Sequence, residues 1–347
     1  MISNCLIITP HDPKLNVINV GFFWSLPLKR AGVDSEIFNF DRMINQYKIY
    51  ANKFFSYYTG KEFFDVYTSV ERRLLNTLKK KDYDLIFFFN IKHAREELLA
   101  NIRKISPKSI IINVFHDNPF FYPITLKSIH SYDYFFIKDD YVLKEMDKLG
   151  IDNCYFLMHG FSKDFHRPYS EEELSQEEKK RYTADISFIG SIYPQRQIIL
   201  ENLRGFDIKL WGKYIWDSVD TNSWLLKHHN SILCDDEMKS KIVSCSKINL
   251  NTHNYQNDID GSNSRTFEIC ASGGFQLVDY KPVLEKYFKI GKEIEVFRSA
   301  KELRELAQFY LSNDKERRKI ACAGYRRAVK EHSYDNRLKE IFKVIKK

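Results

Sequence analysis

The chain has 347 residues, 44% of them hydrophobic and 29% charged, with 13 Gly and 9 Pro; that length predicts two domains, and the apolar share excludes wholesale disorder and collagen-like repeats. No run approaches the roughly 18–20 uncharged apolar residues that span a bilayer, and six scattered cysteines without CxxC spacing argue against a disulfide framework or a structural zinc site. A net charge of +8, from 54 Lys+Arg against 46 Asp+Glu, suits an anionic small ligand or weak attraction to an anionic surface better than dedicated nucleic-acid binding.

The first residues, Met1 to Pro10, lack a basic n-region and hold too short an apolar run for a signal peptide, so they read as the first buried strand of a cytoplasmic chain. Further strands are expected at Ser35–Phe40, Asp84–Asn90, Ser109–Phe115, Tyr134–Ile137 and Cys154–Leu157, after a first at Cys5–Thr9. Each is short, β-branched or aromatic and almost continuously apolar, as strands covered on both faces are. Between the second and third lies Arg42–Asp82, where Tyr47, Tyr50, Phe54 and Tyr57 recur at helical spacing. Amphipathic helices ordinarily turn such a stripe toward the core or fold it over the sheet as a lid; the sharper alternative is a face for an acceptor or a peripheral membrane contact.

Pro168 and the charged run Ser170–Arg181 mark a solvated linker or short surface helix between domains. The alternation then repeats, with strands expected at Asp185–Ile189, Asp207–Trp211, Ile232–Cys234, Lys247–Asn251, Phe275–Val278 and Ile294–Phe297. Lys301–Lys347 reads as helical throughout, with Leu303, Leu306, Phe309 and Tyr310 on one stripe. Two α/β halves in tandem follow from this pattern.

Ligands of open α/β sheets bind beyond the carboxyl ends of strands, so residues that follow strands carry the information. After Asp185–Ile189 come Gly190 and Ser191, then Pro194 at an expected helix start and Arg196, whose forked guanidinium suits phosphate oxygens; an ordinary tight turn is the plainer reading. Asp260 to Glu268 leads into a helix that closes on Gly273-Gly274. There Ser262, Asn263 and Ser264 carry N–H and O–H donors, and Glu268 reads equally as an acceptor for ribose hydroxyls or as a solvated helix charge. His116-Asp117 follows an expected strand of the first half and offers a base with an acidic neighbour, or a turn before Pro119; His11-Asp12-Pro13, after the first strand, reads more simply as a turn. No spacing supports metal ligation: Asp235-Asp236-Glu237 reads as acidic decoration of a helix start, and Asp258-Ile259-Asp260 follows a polar loop rather than a strand.

The segment Arg265-Thr266-Phe267-Glu268-Ile269-Cys270-Ala271-Ser272-Gly273-Gly274-Phe275-Gln276-Leu277 resembles the signature of glycosyltransferases similar to the spore-maturation protein CgeB. The resemblance continues through Gly291–Phe297, Lys301–Leu303, Tyr310-Leu311, Glu316-Arg317, Ile320–Gly324, His332-Ser333-Tyr334 and Arg337. It is looser in the first half, at Phe115–Phe120 and Leu157–Phe161.

That resemblance implies an α/β fold of the GT-B type, two Rossmann-like domains facing across a cleft with a C-terminal helix crossing back to the first. On it, residues 1–165 form an acceptor domain, 166–184 a linker, 185–330 a nucleotide-sugar domain and 331–347 the returning helix. It implies a metal-independent transferase without a cofactor, using a nucleotide-diphosphate sugar and a glycan or other hydroxyl acceptor. Glu268 would hold the ribose, with Gly190, Ser191 and Arg196 near the diphosphate and Ser262, Asn263, Ser264 and Arg265 beside them. Seven residues separate Asp260 from Glu268, the spacing of the Glu-x7-Glu pair of retaining enzymes, with Asp in the first place. An inverting enzyme would instead need a base in the first domain, which His116, Asp117 or His11 could supply. A nucleotide- or sugar-binding protein without turnover and a sugar-nucleotide epimerase are the alternatives from other classes.

Overall fold

The computed structural model describes residues 2–10, 20–40, 46–59, 65–212, 220, 222–230, 232–256 and 258–346. The chain forms two compact units, one of Met1–Leu157 with Glu340–Lys347 and the other of Met158–Lys339. The boundary therefore falls at Leu157/Met158, earlier than the expected linker at 166–184, which belongs wholly to the second unit.

In the first unit the strands are β1 (Asn4–Thr9), β2 (Asp34–Asn39), β3 (Leu85–Phe89), β4 (Ile110–Phe115), β5 (Tyr134–Ile137) and β6 (Cys154–Phe156). All pair in parallel, in the order β2-β1-β3-β4-β5-β6. Parallel neighbours need crossovers, which helices supply: α1 (Val20–Arg30), α2 (Gln46–Thr59), α3 (Thr68–Leu78), α4 (Glu96–Ile105), α5 (Pro123–Ser128) and α6 (Asp140–Lys148). Every residue of β3 is buried, and Trp24 from α1 packs edge-on against Phe87, so the aromatic strand sequence becomes core. The aromatic stripe of α2 departs from expectation: Tyr50, Phe54 and Tyr57 are exposed. The side chain of Tyr47 lies outside the described part, as do residues 41–45 and 60–64.

The second unit contains β7 (Ala184–Ile189), β8 (Ile208–Trp211), β9 (His229–Asn230), β10 (Ser246–Asn251), β11 (Gln276–Asp279) and β12 (Glu295–Phe297), parallel in the order β12-β11-β10-β7-β8-β9. Its helices are α7 (Gln176–Tyr182), α8 (Pro194–Glu201), α9 (Asp236–Cys245), α10 (Arg265–Ala271), α11 (Leu284–Tyr287), α12 (Ala300–Ser312), α13 (Asp314–Glu331) and α14 (Tyr334–Ile345). The charged run became α7, started by a reciprocal Ser175–Glu178 capping box and packed through Tyr182 on Trp211. Ile232–Cys234 is not a strand; the edge strand is His229–Asn230, and the Ile232 N–H reaches the Asn230 C=O at 2.7 Å. The C-terminal stretch is three helices, because Asn313 and His332-Ser333 interrupt it, and Phe309 faces solvent while Leu303, Ala307 and Tyr310 enter the core.

Two stretches of the second unit, distant in sequence, lie side by side. Phe161 bridges Ser333 in parallel, with Phe161 N–H to His332 C=O at 3.2 Å, Tyr334 N–H to Phe161 C=O at 2.9 Å and Arg337 Nε to His159 C=O at 2.9 Å. These follow the point where the chain enters the unit and precede the point where it leaves, partway along α14. No helix among the described residues is long and apolar enough to cross a membrane.

Candidate functional site at the carboxyl ends of β7 and β10

In the second sheet β7 and β10 are neighbours, while the chain runs from β7 to β8 on one side and from β10 to β11 on the other. Their carboxyl ends flank a topological switch point, where divergent connections leave a crevice. Gly190 closes β7 with φ 151° and Gly212 closes β8 with φ 119°. A Cβ on Gly190 would collide with the Arg265 guanidinium, and one on Gly212 would lie 2.7 Å from the Gly190 carbonyl oxygen. Glycine is required at both positions for backbone and guanidinium to approach this closely.

Two arginines fill the crevice. Arg265, the first residue of α10, donates from Nη1 to Ile189 C=O (3.1 Å), from Nη2 to Thr252 C=O (3.0 Å) and from Nε to Asn251 Oδ1 (3.1 Å). Arg196, from α8, donates to Ser191 C=O (2.7 Å) and to the same Thr252 C=O (2.8 Å). Among the described residues no carboxylate lies within ion-pair distance of either guanidinium, and the buried Arg196 Nε has no hydrogen-bond partner. Burial, then the charge of Arg265, pushes the Arg196 pKa down to about 9, which leaves it cationic at neutral pH, and burial lowers that of Arg265, a guanidinium that proteins keep charged. Two cations share one carbonyl with no carboxylate among the described residues in ion-pair contact, Glu268, Asp258 and Asp279 acting only from farther off, and an anion placed between them would relieve the repulsion.

Below this pair a buried network fixes the loop from Thr252 to Ser264. Asp279 Oδ1, at the end of β11, accepts the His253 backbone N–H (2.9 Å) and faces His253 Nδ1 (2.7 Å). His253 Nε2 meets Ser262 Oγ (3.1 Å), which meets Thr266 Oγ1 (2.7 Å). Asn251 Nδ2 donates to Thr266 Oγ1, Asn263 Oδ1 and Gln276 Oε1, while Asn263 returns a bond to Asn251 Oδ1 (3.0 Å). Lys281 Nζ holds the Asp258 and Ile259 carbonyls at 2.7 and 3.0 Å. These bonds aim the Thr252 carbonyl and the Asn251 side chain at the arginines.

Glu268 lies one helical turn beyond Arg265 and is buried, so it is not a solvated helix charge. With Arg265, Lys239 and His166 it lines a small cavity of about 20 Å³, room for one water molecule. Lys239 donates to Asp236 Oδ1 (2.7 Å), and His166 Nε2 stands 3.5 Å from the same oxygen. Burial alone would raise the Asp236 pKa, but Lys239 and His166 outweigh it and hold the carboxyl well below the usual range. Asp236 is therefore a buried partner of a lysine as well as a residue of the α9 start, where Asp235 caps Met238 N–H at 2.7 Å.

The structure brings Gly190, Ser191, Arg196, Asn263 and Arg265 together, with Glu268 on the adjoining cavity. The Ser262 hydroxyl is turned inside toward His253 and Thr266, which leaves it no reach to a phosphate. Ser264 precedes α10 without capping it through its side chain, and Asp260 is half-buried in the stapled loop. No group of His, Cys, Asp and Glu suited to a metal ion occurs among the described residues. His253, Asp279, Thr252 and Lys239 escaped the sequence reading, although the first three follow or end strands and the same rule points at them.

In the first unit, His116 and Asp117 follow β4 beside Asn90, which follows β3 in the left-handed region at φ 50°. Asn90 Oδ1 accepts the His116 backbone N–H (3.3 Å) and its Nδ2 donates to Asp117 Oδ2 (3.2 Å). Lys92 Nζ pairs with that same oxygen at 2.7 Å, so the Asp117 carboxylate is engaged by a lysine, and His116 packs edge-on against Phe89. His11 lies outside the described residues.

A family model described as glycosyl transferase-like matches residues 195–343, which include α8 from its second residue, the loop after β10 and α10. No curated protein matches the chain in sequence. Solved structures do match in fold. HepE from Anabaena, crystallised with UDP and glucose, superposes with a TM-score of 0.65 over 99% of both chains at 9% identity. Sucrose-phosphate synthase from Thermosynechococcus elongatus gives 0.63 over 99% of this chain and 98% of that one, also at 9% identity. A glycosyltransferase from Rickettsia africae gives 0.62 over 99% and 97%, at 12% identity. With two parallel six-stranded sheets and a last helix that begins in one unit and ends in the other, the chain has the α/β two-domain fold of GT-B glycosyltransferases.

Proposed function

We propose that the chain is a glycosyltransferase that takes a nucleotide-diphosphate sugar in its second unit and transfers the sugar to a glycan or other hydroxyl acceptor. One observation carries the reading: Arg196 and Arg265 share the Thr252 carbonyl at the switch point with no carboxylate partner among the described residues. A diphosphate supplies the missing charge, and its charge grows as the glycosidic bond breaks, so the same pair stabilises the departing group without a metal. Glu268 accepts from the ribose hydroxyls. The adjoining cavity has room for one water molecule, so entry of the nucleoside requires the Lys239 side chain to leave Asp236 and move aside. The solved GT-B structure of HepE, which holds UDP and glucose, supports this class of ligand.

In this reading the acceptor meets the first unit. His116 is the better base there than Asp117, whose carboxylate faces Lys92, and His11 remains a further candidate. An alternative retaining course would use Asp260 at the donor sugar.

Calorimetry with uridine, guanosine and thymidine diphosphates, alongside transfer assays with the matching nucleotide sugars, tests the proposal. At least one diphosphate binds, and Arg196→Gln weakens it by about tenfold or more, the loss expected of a charge-assisted hydrogen bond. Binding to none of the three, or equal binding by the variant, overturns it. Binding with neither transfer nor donor hydrolysis would leave a binding protein, and isomerised donor an epimerase.

A further inference from the structure

Helix α2 is built inside out. Its sequence, Gln46 to Thr59, contains five aromatic residues after Tyr47 and two charged ones, Lys48 and Lys53, with no Asp or Glu. Tyr50, Phe54, Tyr57 and Tyr58 stand at i, i+4, i+7 and i+8, which places them within roughly 100° of the helix circumference. Their exposures are 67, 60, 84 and 70%. Asn52, roughly opposite the middle of that stripe, is only 5% exposed. An amphipathic helix of a soluble domain buries its apolar face, whereas here Asn52 is inward and the rings are outward. A contiguous aromatic surface of this kind marks a contact with something outside the chain.

The chemistry of the patch selects the partner. The rings pack on one another steeply: Phe54 with Phe55 at 83°, Tyr57 with Tyr58 at 86°, and Phe54 with Tyr58 at 58°. A platform for a sugar ring typically joins a flat aromatic face to charged acceptors at its rim, and α2 offers tyrosine hydroxyls but neither a parallel ring pair nor a carboxylate. A second copy would bring the lysines of both helices together, and α2 itself supplies no acid to match them. Aromatic residues that combine an apolar body with a hydroxyl, flanked by lysines and free of acids, have the composition of a helix lying in a lipid headgroup layer. The chain's net charge of +8 adds attraction to an anionic surface. We propose that the aromatic face of α2 docks the protein on anionic lipid bilayers as a peripheral protein, with the helix parallel to the surface.

Flotation of the full-length chain with lipid vesicles tests this independently of any catalytic activity. Two preparations are compared, phosphatidylcholine alone and a mixture of about 3:1 phosphatidylcholine to phosphatidylglycerol. The wild type floats with the mixed vesicles. Combined Tyr50→Ser, Phe54→Ser, Tyr57→Ser and Tyr58→Ser cuts that partitioning by about tenfold or more with an unchanged melting temperature, because the four side chains are exposed. Lys48→Glu with Lys53→Glu lowers binding to the mixed vesicles only. Failure of the wild type to float, or equal flotation of the serine variant, overturns the proposal. So does a concentration-dependent dimer that the serine substitutions abolish while flotation persists, which assigns the face to a second copy. A raised acceptor KM with unaltered flotation overturns it equally and assigns the face to the acceptor.

Discussion

At the scale of single residues, the second unit concentrates its electrostatic tension in two places that adjoin. Arg196 and Arg265 are cations with no carboxylate in ion-pair contact among the described residues, and Glu268 stands one turn beyond Arg265 with Lys239 on the same cavity. Burial tends to neutralise Lys239, but Glu268 and then Asp236 favour its charged form and raise its pKa. Replacing Glu268 with Gln keeps the shape and removes the charge. The variant should bind a nucleoside diphosphate about 1–3 kcal/mol more weakly, as expected when a charged acceptor loses a ribose hydroxyl, and should bind pyrophosphate as the wild type does. Calorimetry with the two ligands separates these effects, and an equal loss for both would place Glu268 with the phosphates instead. That the arginines and Glu268 gather at one end of the sheet was legible because they come after strands in a polar, glycine-bounded context. The inward turn of the Ser262 hydroxyl was not legible for a physical reason: a serine hydroxyl in a loop reads as solvent-facing until a distant histidine, His253, held by Asp279 on another strand, claims it.

At the scale of elements, eleven of the twelve expected strands survive with shifts of a residue at either end, since continuous apolar runs such as Leu85-Ile86-Phe87-Phe88-Phe89 admit no other covered form. The exceptions lie where local pattern meets weak context, at the edge strand β9 and on α2, whose stripe has the right period and the opposite orientation. The pairing of Phe161 with Ser333 was not legible either, although both stretches had been singled out, because sequence spacing cannot show that two loops meet. His332 locks that junction. Its Nε2 faces the Tyr287 carbonyl at 3.0 Å, its Nδ1 faces Arg337 Nη2 at 3.3 Å, and Phe267, Tyr287 and Phe288 surround the ring. Arg337 can only donate, so the neutral ring carries its proton on Nε2. Burial first, with Arg337 and Arg327 adding to it, lowers the His332 pKa from 6.5 to about 4. The unfolded chain therefore binds a proton between those values that the folded chain refuses, and stability falls as pH drops through this window. From pH 7 to pH 5 the loss from this residue is about 2 kcal/mol. Urea titrations at the two pH values should show His332→Gln losing less than the wild type by that amount; parallel losses would remove His332 as the cause.

At the scale of the whole molecule, the division of the chain makes the last helix a member of both units. α14 begins in the second unit, with Tyr334 and Leu338 buried, and its end from Glu340 onward belongs to the first. There Ile341 is fully buried, Phe342 and Ile345 line an apolar cavity of about 410 Å³ with Ile2, Val33 and Ile110, and Tyr134 Oη donates to Ile345 C=O at 3.4 Å. The first unit is thus completed by residues at the far end of the sequence, while the arginine site depends on none of them. Ile341→Ala removes a fully buried side chain and should destabilise the first unit by about 2–5 kcal/mol. Hydrogen exchange read by mass spectrometry should show faster exchange in β1, β3 and β4, with β7, β10 and β11 unchanged and nucleoside diphosphate affinity retained. Acceleration spread evenly over both sheets would mean that the two units unfold as one, and the last turns of α14 would then matter to the nucleotide site as much as to their own sheet.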